Sequence, residues 1–136
     1  MKSVTVDTNT ILDALLKRDD RSVFQAYIEK ATRGTLRVHI PYIVFFELEW
    51  VLNKIYNKDR DYCYGVLSAL VNKRNIVTEL QDLLRHAIEL ALFFPKISLA
   101  DASIVISALM ESGELITKDK ELLAVWERIN TPKATC

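Results

Sequence analysis

Short β-branched runs alternate with helical segments along almost the whole chain, and that alternation decides the fold class. Ser3–Val6, Leu36–Ile40, Ile76–Glu79 and Leu115–Thr117 read as strands, the third weak and the last short and buried. The segments between them have helical spacing. Asp7-Thr8-Asn9-Thr10 is a cluster of helix N-cap residue types, followed by Ile11, Leu12, Leu15 and Leu16 up to the charged stretch Lys17–Arg21. Val23, Ala26, Tyr27 and Lys30 predict a second helix, closed by Gly34. Pro41 suits a first helical turn, and Val44, Leu48, Val51 and Ile55 form an amphipathic stripe behind it. Further helices are predicted over Asp59–Asn72, Leu80–Phe94, Ser98–Ser112 (with Gly113 as its stop) and Leu122–Ile129. Strands joined by helical crossovers predict an α/β protein, an α/β/α sandwich with a central parallel sheet of four or five strands. The tail after Pro132 is a poor fifth strand or none. Sites in such folds form outside the carboxyl ends of the strands.

The length of 136 residues predicts one domain spanning 1–136, and half the residues are hydrophobic, enough for a packed core. Three glycines and three prolines leave no low-complexity tract, which argues against a disordered or fibrous protein. Eighteen basic residues balance eighteen acidic ones, which argues against a broad basic field for nucleic acid but not against a local basic rim. The longest apolar runs, such as Ile40–Phe46 and Leu90–Pro95, fall short of the ~20 residues a membrane span needs. No signal-peptide pattern opens the chain. Cys63 and Cys136 are too few for a disulfide framework. These features predict a cytoplasmic protein with no membrane partner.

Four acids occupy places that are odd for solvated charges. Asp7 follows the first strand and Asp119 follows Leu115–Thr117. Asp101 lies in the first turn of an otherwise apolar helix, and Glu47 sits among Ile43, Val44, Phe45, Phe46, Leu48 and Trp50. Each aspartate also suits a helix cap, and Ser98 to Asp101 matches capping-box spacing. Glu49 lies away from the stripe and reads as more exposed. Phe46 and Trp50 also lie off the stripe. They face either a partner or, as the reading favours, the neighbouring helix of the same chain. Two acids at strand ends and two on helices that lean over them suggest one cluster. Carboxylates ~5 Å apart repel by about 3 kcal/mol per pair at an effective dielectric near 20, so such a cluster calls for a divalent cation. Oxygen-only ligands favour Mg²⁺ or Mn²⁺ over zinc. His39 and His86 are isolated and read as surface or packing residues.

These residues carry a resemblance. Val4-Thr5-Val6-Asp7-Thr8-Asn9, Ile40-Pro41 leading to Glu47 and Trp50-Val51-Leu52, Leu99-Ala100-Asp101-Ala102, and Leu115-Ile116-Thr117-Lys118-Asp119 follow in order across nearly the whole chain. Together they resemble the PIN-domain ribonucleases, specifically the small toxins of VapC type. The resemblance implies a metal-dependent endoribonuclease in which Asp7, Glu47, Asp101 and Asp119 hold Mg²⁺ or Mn²⁺. It implies that Thr117 hydrogen-bonds within the site and that Asn9 orients the first carboxylate. It further implies an RNA substrate, a homodimer and a cognate antitoxin that covers the site. Asn130–Cys136 departs from the family pattern of a last strand.

An acidic site in a neutral protein needs local bases against phosphate repulsion. Lys17, Arg18, Arg21, Lys54, Lys118 and Lys120 flank the motifs. Two other readings compete. A phosphoacceptor receiver domain pairs two acids after its first strand and sets one after its third, whereas Asp7 stands alone and no aspartate follows Ile76-Val77. A silent PIN-like scaffold would not need all four acids. An RNA-processing role and a toxin role use the same residues, and the short chain favours the toxin.

Overall fold

A computed structural model of the chain describes residues 1–18 and 21–130, the side chains of Arg21 and Ser22 excepted. Three strands, β1 (Lys2–Thr5), β2 (Leu36–His39) and β3 (Ile76–Val77), pair in parallel in the order β1-β2-β3. Val4 sits opposite Val38, and Val38 opposite Ile76. Because side chains alternate along a strand, these three share one face, and Val6 and Ile40 continue it. Val38 and Ile40 are fully buried. The opposite face carries exposed Ser3, Thr5 and Arg37 and half-buried His39 and Val77. Strands that are neighbours in chain order and joined by right-handed crossovers have both connections on the same face. The sequence predicts helices on both faces, but the buried side chains are on the Val4–Val38–Ile76 face, and the other carries mostly polar, more exposed ones. His39, read as isolated and as a surface or packing residue, is not isolated: its ring nitrogens lie 3.0 Å from Thr5 Oγ1 and 3.1 Å from Glu79 Oε2.

The helices are α1 (Thr8–Leu15), α2 (Arg21–Thr32), α3 (Tyr42–Trp50), α4 (Arg60–Val71), α5 (Gln81–Phe93), α6 (Leu99–Met110) and α7 (Lys120–Asn130). α1 packs on α2 and α3, α4 on α3, β3 and α5, α6 on α5 and α3, and α7 on α6. Gly34 ends α2 as predicted, with a φ of 83° that favours glycine. α6 stops at Met110, and it is Ser112 that takes the left-handed conformation (φ 54°), not Gly113.

Two further expectations are corrected. Among the described residues the sheet has three strands, not four or five. Leu115–Thr117 pairs with no strand among the described residues, and Ile116 is 87% exposed, so the predicted buried strand is a surface segment there. Three apolar or β-branched residues satisfy a local strand preference without guaranteeing a neighbour to pair with. The expected fifth strand lies in residues 131–136, outside the described residues.

The second correction concerns the stripe on α3. Val44 and Leu48 are buried, but the helix continues as a π-helical turn over Val51–Ile55, marked by the Tyr56 N–H to Val51 carbonyl bond at 3.2 Å. A π turn holds an extra residue and shifts the register. Leu52 consequently takes the buried position and Ile55 turns out to solvent. Phe46 packs against the core and meets Tyr42 edge to face, whereas Trp50 is 57% exposed, so the two aromatics are not both covered.

Candidate active site

The Val6 N–H still bonds the His39 carbonyl at 3.1 Å, which carries the parallel ladder one residue past β1. The chain then turns at Asp7, whose extended backbone makes it the N-cap of α1. Its Oδ1 accepts the Thr10 N–H at 3.0 Å and the Thr10 hydroxyl at 2.8 Å. The Thr10 backbone bond, and after it the hydroxyl bond, hold the Asp7 carboxyl below the usual carboxylate range. Asp7 is thus kept ionised and fixed in rotamer.

After β2 the chain passes Pro41, which serves as the N-cap of α3 and stands one residue ahead of the helical turn predicted for it. α3 then brings Glu47 towards α1, where the Thr8 hydroxyl donates to Glu47 Oε2 at 2.7 Å. Thr8 is buried, so this contact ties a surface carboxylate to the core. Asp7, Thr8, Asn9, Pro41, Ile43 and Glu47 line one open pocket of about 400 Å³ beyond the carboxyl ends of β1 and β2. Asn9 borders the pocket without a hydrogen bond to Asp7; the orienting group is Thr10.

Asp101 and Asp119 lie outside that pocket. Asp101 is in the first turn of α6, the helix that packs on α3, and is half-buried. Its backbone N–H is capped by Ser98 Oγ at 3.1 Å, but its carboxylate makes no hydrogen bond to a described residue. The capping-box reading thus accounts for Ser98 and leaves the Asp101 carboxylate free. Asp119 does the opposite. Its Oδ1 accepts the N–H groups of Glu121 and Leu122 at 2.9 and 3.1 Å at the start of α7, and Thr117 Oγ1 accepts the Asp119 N–H at 3.1 Å.

Glu49 is not the more exposed acid that its distance from the stripe suggests. It is half-buried, and its Oε2 accepts the Tyr64 hydroxyl and, at 2.7 Å, the Leu99 N–H. It joins α3 to α4 and α6 and has a structural task. The partners lie 15 and 50 residues away, so no local pattern in the sequence points to them.

Of the flanking bases, Arg18 is paired with Asp13 at 3.2 Å, and Lys17, Lys118 and Lys120 are exposed. Among the described residues no group of three or more Asp, Glu, His or Cys side chains stands together as a metal ligand set. The pocket offers two carboxylates and no nitrogen or sulfur ligand. That donor set fits Mg²⁺, or Mn²⁺, which commonly takes one or two carboxylates and completes its shell with water and substrate phosphate. Cys63 is buried, and burial pushes its thiol pKa up, away from the thiolate a metal ligand needs. No helix among the described residues is long and apolar enough to cross a membrane.

A search of curated proteins and a search of solved structures find no match. The family model described as the PIN domain matches residues 4–127, a span that contains Asp7, Glu47, Asp101 and Asp119. The chain belongs to the PIN-domain family, whose members are generally nucleases.

Proposed function

We propose that this chain is a metal-dependent endoribonuclease and the VapC-type toxin of a type II toxin–antitoxin pair, acting in the cytoplasm as a homodimer that a cognate antitoxin covers. The observation that carries the nuclease reading is the pair of anchored carboxylates, Asp7 and Glu47, in one pocket beyond the strand ends of a PIN-family chain. Asp7, fixed and kept ionised by Thr10, and Glu47, fixed by Thr8, would hold Mg²⁺ or Mn²⁺. Asp101 belongs to the proposed set because its carboxylate has no partner among the described residues, and its helix packs on α3. Asp119 and Thr117 complete the set by the order of the motifs, and Asn9 borders the substrate. When bound, the cation supplies a water of lowered pKa and a counter-charge for the phosphodiester.

The test is cleavage of labelled single-stranded RNA in Mn²⁺, Mg²⁺ and EDTA by wild type, Asp7→Asn and Glu47→Gln. The expected result is cutting in metal alone, lost in both variants. Cutting in EDTA, or full activity in both variants, contradicts the reading. Co-purification with the product of an adjacent small DNA-binding gene tests the toxin role.

A further inference from the structure

We infer that the cavity next to the π-helical turn of α3 is a nucleotide-binding subsite, in which Trp50 stacks a base and Lys54 and Lys96 hold the flanking phosphates of a single strand. This rests on the reading of the substrate as RNA. The cavity measures about 410 Å³ and lies between α3, α4 and the segment that leads into α6. That size falls within the ~300–1,000 Å³ of small-ligand pockets.

Its floor is rigid. Glu49 Oε2 is held by the Tyr64 hydroxyl and the Leu99 N–H. Arg60 Nη2 donates to the carbonyls of Ala91 at 2.5 Å and Ile97 at 2.7 Å, and its guanidinium carbon lies 4.4 Å from the centre of the Tyr64 ring. None of these groups can swing out to serve another purpose.

The rim is uncommitted. Lys54 and Lys96 make no ion pair or hydrogen bond to a described residue, and Trp50 leaves more than half of its surface in water. Three cations (Lys54, Arg60 and Lys96) face the one carboxylate of Glu49, in a chain whose formal charge is zero. An exposed indole on the same cavity as two free ammonium groups is the combination that binds single strands by base stacking and phosphate contact, with little regard to sequence. A protein partner would leave the two ammonium groups unmatched unless it brought acids of its own.

Position joins the cavity to the proposed active site. Trp50 follows Glu47 by three residues on α3, and side chains at that spacing are neighbours on a helix surface. A strand with its scissile phosphate at Asp7 and Glu47 therefore runs on to Trp50. The extra residue of the π turn sits where Lys54 meets the cavity.

The experiment is a fluorescence titration with a ten-residue oligouridylate in EDTA, where no cutting interferes. Trp126 is buried and gives a constant background. Saturable quenching is expected, absent in Trp50→Phe. By anisotropy of a labelled oligouridylate, Trp50→Ala should bind about tenfold more weakly. Lys54→Ala with Lys96→Ala should flatten the slope of log affinity against log salt by about 1.4, the value for two single-strand phosphates. The three side chains are on the surface, and unchanged circular dichroism shows that the variants fold. Equal quenching by an RNA duplex, or wild-type binding by both the Trp50 and the double-lysine variants, overturns the subsite. If wild type cuts RNA in metal but these variants bind as wild type, the subsite alone fails. If it binds through Trp50 but never cuts, the nuclease reading alone fails.

Discussion

Thr8 on α1 donates its hydroxyl to Oε2 of Glu47 on α3 across 2.7 Å, joining residues 39 apart in the chain. Thr8 is buried at the start of its helix and Glu47 reaches it from a largely exposed position. The threonine thus sets the direction in which Glu47 presents its second oxygen. Thr8→Val keeps the shape and removes the donor. It should lower stability by about 1–2 kcal/mol, below the upper end of the ~1.5–3 kcal/mol of a hydrogen bond to a charged group because Glu47 is exposed to water. Loss of such an orienting bond commonly costs roughly tenfold or more in metal affinity. Urea denaturation and a Mn²⁺ titration check the two halves separately, and no change in either removes the positioning role.

The two glutamates of α3 should respond in opposite ways. Glu49→Ala leaves the buried Tyr64 hydroxyl and the Leu99 N–H without an acceptor, and should cost about 2–3 kcal/mol. Glu49→Gln keeps an acceptor and should cost less than half of that. Glu47→Gln keeps its acceptor for Thr8, so its stability should stay within about 0.5 kcal/mol of wild type while metal-dependent cutting is lost. Thermal unfolding beside a cleavage assay separates the cases.

Asp7 provides a test in pH. Hydrogen bonds from Thr10, the backbone N–H first and the hydroxyl second, hold its folded pKa below the unfolded value. The ionised form therefore favours the folded state above the ordinary carboxyl pKa near ~4, and that contribution is lost as pH falls through the lower folded value. Thr10→Val removes the hydroxyl alone. Asp7 should then titrate higher than in wild type yet still below its ordinary value, as read from the carboxyl carbon by NMR. An unchanged midpoint contradicts the assignment of the hydroxyl.

Asp119 and Asp101 differ in what they do without metal. Asp119 caps α7 through two N–H groups, so Asp119→Ala should lose about 1 kcal/mol, and Asp119→Asn, which can still cap, much less. The Asp101 carboxylate caps nothing, so Asp101→Asn should leave metal-free stability unchanged or slightly raised. A clear destabilisation by Asp101→Asn would return it to a purely structural role.

Much of this was legible because it is local. Strand β1, the N-cap cluster from Asp7 to Thr10, Gly34 and the helix from Ser98 each follow from neighbours a few residues apart. The placement of Glu49 was not, because periodicity finds one buried stripe on α3 and misses contacts with α4 and α6. Ile55 left its predicted stripe because a π turn inserts a residue that no composition signal announces. Leu115–Thr117 has strand residues and no strand beside it among the described residues, since pairing depends on a partner elsewhere in the chain. At the site, Asp7 and Glu47 come to one pocket as the motifs imply, while Asp101 and Asp119 lie outside it.

The measurement that bears most directly on the central claim is a calorimetric titration of Mn²⁺ into the metal-free protein, comparing wild type with Asp7→Asn and Glu47→Gln. Saturable binding by wild type is expected, weakened about tenfold or more in each variant, because each removes one of the two carboxylates of a hard-cation site. Equal affinity in all three proteins, or no binding by wild type, would contradict a metal held between Asp7 and Glu47.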